Sequence, residues 1–142
     1  MIDKNKIYQL SNNYFEEIRD LRRHIHKHPE LSFKEYQTSA FIAKKLEEYG
    51  ISYQKGYAQT GIIGVIKGKN PDKKIIGLRG DIDALPIQEQ TDLSFQSVNE
   101  GVMHACGHDI HTSVLLGAAK ILNQLKNEFE GTIILIFQPG EE

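Results

Sequence analysis

Residues 103–111 read Met-His-Ala-Cys-Gly-His-Asp-Ile-His and concentrate side chains that bind divalent metal ions. The stretch holds the single cysteine of the chain, Cys106, together with His104, His108, His111 and Asp109. Gly107 lets the backbone turn between Cys106 and His108, so two neighbouring side chains can converge on one point. A lone histidine in such a loop reads as a solvated side chain. This density around the sole thiol reads as a metal site.

Two carboxylate pairs stand where such a site would need them. Residues 132–137 form a continuous, largely β-branched apolar run, the pattern of a strand buried on both faces in a parallel sheet. The run leads into Gln138, Pro139, Gly140, Glu141 and Glu142. In open α/β sheets ligands bind outside the carboxyl ends of strands, so one glutamate suits a metal ligand and its neighbour a general base. Residues 74–78 read as another buried strand, followed by Asp81 and Asp83. Two aspartates at alternate positions point the same way on an extended chain. Such a pair can ligate metal or hold a ligand imidazole in one tautomer. Each pair alone reads as an ordinary acidic turn; the three clusters together favour a site.

The elements that position these residues are legible around them. Ile7, Leu10, Tyr14, Ile18, Leu21 and Ile25 recur at helical spacing, and Pro29 ends that first helix. His24, His26 and His28 fall in its last turn, on different faces, as structural or rim residues. Ser32 to Glu35 has the spacing of a capping box, which starts a second helix running to Tyr49, with Gly50 as its left-handed stop. Residues 51–53 and 61–66 read as strands. The turn cluster 68–72 closes a hairpin from the second of these onto the strand 74–78. Residues 88–100, without periodicity, read as a loop over the site. A third helix begins near Asp109 or His111 and runs to about Asn127, with Val114, Ala118, Ile121 and Leu125 along one side. Its positive amino end is expected to lower the Cys106 thiol pKa. Alternating strands and helices predict an α/β layered domain with a mostly parallel central sheet flanked by helices.

Composition removes whole classes of function. At 142 residues and a net charge of −2, the chain can bury a sizeable core and carries no basic footprint for nucleic acid. No apolar run suits a membrane span, and the amino terminus lacks the core of a signal peptide. One cysteine makes no internal disulfide, which fits a reducing cytoplasm.

Three stretches resemble the amidohydrolase branch of the M20 metallopeptidase family: residues 103–109, the Asp-Ile-Asp-Ala-Leu-Pro run at 81–86, and Phe-Gln-Pro-Gly-Glu-Glu at 137–142. Arg22, Arg23, His26, Pro29, Glu30, Leu31, Phe33, Glu35, Thr60 and Gly61 extend the likeness. Gly140 departs from it, where the family more often has alanine. The resemblance implies metal-dependent hydrolysis of the amide bond of small-molecule N-acyl amino acids at a centre of two divalent ions, zinc, manganese or cobalt. By the same resemblance Cys106, His108 and Glu142 bind metal, Glu141 is the general base, and Asp83 orients and tunes the site. His104 fits the motif and lines the pocket. Residues 1–142 then form the amino-terminal portion of a catalytic domain, lacking the carboxyl-terminal part and a smaller dimerisation domain, and the full-length form is a homodimer. Two alternatives stay open: Cys106 as a nucleophile served by a histidine base, and a fragment that binds metal without turnover.

Overall fold

A computed structural model describes residues 3–142. Asp3 caps the first helix, α1 (Lys4–Lys27), its carboxylate accepting the Asn5 N–H at 3.0 Å. The helix stops one residue before the His28–Pro29 pair and buries Leu21, Ile25 and His26. Helix α2 (Tyr36–Glu48) starts where a capping box is expected, yet the box does not form. Ser32 gives its hydroxyl to Asp83 and Glu35 turns its carboxylate inward. Glu30 replaces them, accepting the Gln37 and Thr38 N–H groups at 3.1 and 2.8 Å. At the other end Gly50, at φ +67°, makes the expected left-handed stop.

Strands β1 (Ser52–Tyr57), β2 (Gly61–Lys67), β3 (Ile75–Asp81) and β4 (Thr132–Gln138) form one sheet in the order β1-β2-β4-β3. The α/β layered class is as expected, but the sheet is mixed. Only β3 and β4 run parallel; β1 with β2 and β2 with β4 are antiparallel. The expected hairpin from β2 onto β3 is also absent, because β4 inserts between them. The cause is hydrophobic. The most apolar strand takes a central place, pairing Ile62 with Phe137 and Ile66 with Ile133, while polar β1 is left at an edge.

Helix α3 (His108–Gln124) crosses from β3 back to β4; α2 and α3 pack on the sheet, and α1 packs on α3. Ile62 and Ile66 of β2 and Leu135 and Phe137 of β4 meet Leu46, Leu116 and Ala119 in the core. The alternate residues Ile63, Val65, Ile134 and Ile136 point to the other face and stay half-buried. Burial of β4 on both faces is therefore not realised among the described residues. The buried side of α3 is centred on Leu115, Leu116 and Ala119 rather than on Val114. Val114, Ala118, Ile121 and Leu125 instead line an apolar groove with Ile7 and Ile18 of α1.

Residues 88–100 carry no helix or strand and are fastened to the carboxyl end of α1. Val98 donates its N–H to the Lys27 carbonyl at 2.9 Å, and the Asn99 amide donates to the Pro29 carbonyl at 2.8 Å. Glu89 reaches inward from this segment to His26.

Candidate metal centre

The parallel register of β3 and β4 sets Asp81 beside Gln138, so both carboxylate pairs leave the sheet side by side. Ile82 donates its N–H to the Gln138 carbonyl at 3.0 Å and holds the two exits together. Leu85 and Met103 exchange backbone hydrogen bonds, both 3.0 Å, which brings the cysteine–histidine stretch to the same place. Gly107, at φ +101°, then turns the chain into α3. A side chain there would meet nothing within 4 Å, so the left-handed backbone and not space demands glycine.

His108, the first residue of α3, lies between the two strand ends and is 2% exposed. Its Nδ1 is 3.0 Å from the Asp83 carbonyl and 3.1 Å from Asp83 Oδ1, which assigns the ring proton to Nδ1. Nε2 then carries a lone pair. It faces Asp81 Oδ2 at 3.5 Å, Glu141 Oε2 at 3.5 Å and Glu142 Oε1 at 3.7 Å. A lone pair ringed by anionic oxygens beyond hydrogen-bond reach is matched by a cation, not by another acceptor.

Two groups of donors share this nitrogen. Cys106, His108 and Glu142 each offer one ligand atom, all within 4.8 Å of one another, and Asp81, His108 and His111 do the same. The second group is already neutralised. Asp81 Oδ2 accepts from Arg79 Nη1 at 2.7 Å, and Oδ1 lies 2.7 Å from His111 Nδ1. An ion there would have to displace a guanidinium. Thiolate, imidazole and carboxylate in the first group are the zinc-type donor set, so the residues present fit a divalent ion.

The electrostatics run against one expectation. The Cys106 thiol is pushed up, not down: it hydrogen-bonds to Glu142, and desolvation and the charges of Glu142, Glu141 and Asp81 act the same way. The carboxylates raise the thiol pKa, and a bound cation would act in the opposite sense. Burial alone would raise the Asp83 carboxyl. The Glu142 N–H at 2.9 Å and the Ser32 hydroxyl at 2.7 Å overcome it, with smaller help from its own backbone and His108, and hold Asp83 below its usual value.

Cys106, His108, Glu141, Glu142 and Asp83 are thus brought together, while His104 stands apart from the cluster. It is buried, with no hydrogen-bond partner on either ring nitrogen among the described residues, and burial lowers its pKa to about 4. Residue reasoning missed Ser32 and Glu35, because their spacing imitates a capping box. Glu35 is fully buried and binds the Gly140 N–H at 3.0 Å. Gly140 also has a structural reason: at φ +60°, a Cβ would lie 2.4 Å from the Phe33 ring.

The fold and the site together define an α/β layered protein with a candidate metal centre at the carboxyl ends of two parallel strands. Residues 77–142 match the family described as Peptidase family M20/M25/M40. Over that stretch the chain is similar to the family. It is 51% identical over 124 residues to the N-acetylcysteine deacetylase of Bacillus subtilis, covering 87% of this chain and 32% of the relative. It is 50% identical over 123 residues to thermostable carboxypeptidase 1 of Saccharolobus solfataricus, covering 86% of this chain and 31% of the relative. A crystal structure from Bacillus subtilis, described as a dinuclear metal binding peptidase of the M20 family, superposes with a TM-score of 0.85 at 47% identity. That match covers 92% of this chain and 36% of the other. The chain therefore spans about a third of the length of the curated relatives it matches. No helix of the described residues is long and apolar enough to cross a membrane.

Proposed function

We propose that the chain contributes the core of a metal-dependent amidohydrolase acting on N-acyl amino acids. The observation that carries the reading is the unpaired Nε2 of His108, facing three carboxylates and grouped with Cys106 and Glu142. The names of two relatives, a deacetylase of N-acetylcysteine and a carboxypeptidase, support an amide next to a free amino-acid carboxylate as the substrate class.

In this reading Cys106, His108 and Glu142 hold a divalent ion, and Asp83 fixes the His108 tautomer. When bound, the metal supplies Lewis-acid polarisation of the amide carbonyl and a lowered pKa for water. Glu141, part-exposed beside His108, takes a proton from the attacking water and returns it to the leaving nitrogen. The C–N bond breaks, and a carboxylic acid and an amino acid leave. Two ions, drawn from zinc, manganese or cobalt, are the centre's complement, as in the dinuclear relative. Three protein ligands are too few for both, so we read residues 1–142 as the amino-terminal portion of a catalytic domain. By the resemblance, the other ligands and a smaller, dimerising domain lie outside it and the full-length form is a homodimer; the lone thiol suits the cytoplasm. Cys106 as nucleophile is disfavoured: its partner is the Glu142 carboxylate, and its pKa is raised.

The test is an assay of an acetyl- or benzoyl-amino acid with zinc, manganese or cobalt added. The full-length form should turn over and be silenced by chelator. Residues 1–142 alone should bind metal without an enzymatic rate. Turnover that survives chelation and stops on thiol alkylation would overturn the reading.

A further inference from the structure

Glu35 is fully buried, and among the described residues no lysine or arginine pairs with it. It occupies the amino-terminal cap of α2, yet its side chain makes no capping hydrogen bond. Both oxygens are spent elsewhere: Oε2 accepts from the Thr60 hydroxyl at 2.5 Å, and Oε1 accepts the Gly140 N–H at 3.0 Å. A buried carboxylate is costly unless it is well hydrogen-bonded, and this one is placed on the residue before Glu141.

The neighbours of Glu35 grip the same turn. Ser32 donates to the Asp83 oxygen that also accepts the Glu142 N–H. Phe33, at φ +61°, lays its ring against Gly140. A non-glycine residue seldom adopts that backbone, and such strain persists where the surroundings over-determine it. Pro139, on the other side, packs where a Cβ on Gly61 would stand, 2.9 Å from its ring. Residues 32–35 therefore hold Gly140 directly, through the Glu35 hydrogen bond and the Phe33 ring, and reach Glu142 only through the Asp83 oxygen that Ser32 shares with it.

We propose that Glu35 is a positioning residue, which sets the place of Glu141 and Glu142 by holding the Gly140 N–H. The inference rests on the metal-centre reading given above. A glutamine would serve nearly as well, since its oxygen accepts from Gly140 and its amide donates to the Thr60 hydroxyl. An alanine would release the turn. Glu35 touches none of the metal-binding atoms, so any effect on metal must pass through the backbone it holds.

The experiment compares wild type, Glu35→Gln and Glu35→Ala by zinc titration, thermal unfolding and amide hydrogen exchange at Gly140. Glu35→Ala should lose about 10- to 100-fold in zinc affinity, the loss usual when a group supporting a metal ligand is removed. Glu35→Gln should stay close to wild type. A folded Glu35→Ala with wild-type affinity, or a Gln variant as weak as the Ala variant, overturns the proposal. Should Glu35→Ala fail to fold, exchange decides: Gly140 must be protected in wild type and Glu35→Gln, and free-peptide exchange in the folded wild type refutes it. A wild type that binds no zinc would instead sink the metal-centre reading, while Gly140 exchange would still decide whether Glu35 holds the turn.

Discussion

Two buried histidines, His26 and His108, are each bracketed by carboxylates, and they differ in what is left over. His26 has both nitrogens in use, Nδ1 at 2.8 Å from Asp109 and Nε2 at 3.0 Å from Glu89. Arg22 adds a positive charge, its Nε 2.7 Å from Asp109. Glu89 is bound further by the Thr91 hydroxyl and by the Ser97 N–H at 2.6 Å. That cluster pairs its charges within the chain and joins α1, the 88–100 segment and the start of α3. His108 has one nitrogen in use and one turned to the carboxylates of Asp81, Glu141 and Glu142. A histidine among acids is structural when its charges are matched within the chain. It is a ligand candidate when one lone pair remains and faces carboxylates grouped with a thiol.

The difference can be broken most forcefully by alanine at each position. His26→Ala removes a shared partner of two buried carboxylates and should lower the unfolding free energy by about 3 kcal/mol, with metal affinity in the folded protein little changed. His108→Ala should abolish metal binding and destabilise far less. Chemical denaturation and metal titration measure both, and the opposite pattern would exchange the roles of the two histidines.

A second contrast lies in pH. Burial holds His104 to about 4 in the folded protein, whereas an unfolded imidazole protonates near 6.5. Between these values the unfolded chain binds the extra proton. Stability is therefore full above about pH 6.5 and falls on acidification towards 4, by on the order of 3 kcal/mol. In metal-free protein His104→Phe should flatten that slope. A variant with the wild-type slope would assign it to other groups.

Within the centre itself, Glu141→Gln in the full-length form should retain metal and lower turnover by roughly 10²-fold, the loss expected when general-base catalysis is removed. Loss of metal in this variant, with Glu142→Ala retaining it, would swap the two glutamates.

Part of the site is legible in the sequence, because the elements that carry Cys106, His108 and the paired acids follow local rules, while their meeting rests on the β3–β4 register and the Leu85–Met103 pairing. Strand ends, a glycine turn and a helix start can each be read from a few neighbouring residues. The strand order is not legible, since it depends on which apolar strand wins the centre, and residues 68–72 form a turn whether or not a third strand inserts. Glu35 is hidden by mimicry. Four residues with the spacing of a helix cap serve a turn more than a hundred residues away, and no local pattern separates the two uses. The direction of the Cys106 pKa is hidden for the same reason, because Glu142 and Asp81 reach the thiol only through the fold.

The central claim is that Cys106, His108 and Glu142 hold one divalent ion, and cobalt spectroscopy tests it most directly. Titrating the protein with Co²⁺ should produce a thiolate-to-cobalt charge-transfer band that saturates with binding. The band should vanish in Cys106→Ser, and the affinity should weaken by about tenfold or more in Glu142→Ala. Cobalt binding of unchanged affinity and spectrum in Cys106→Ser would contradict the account.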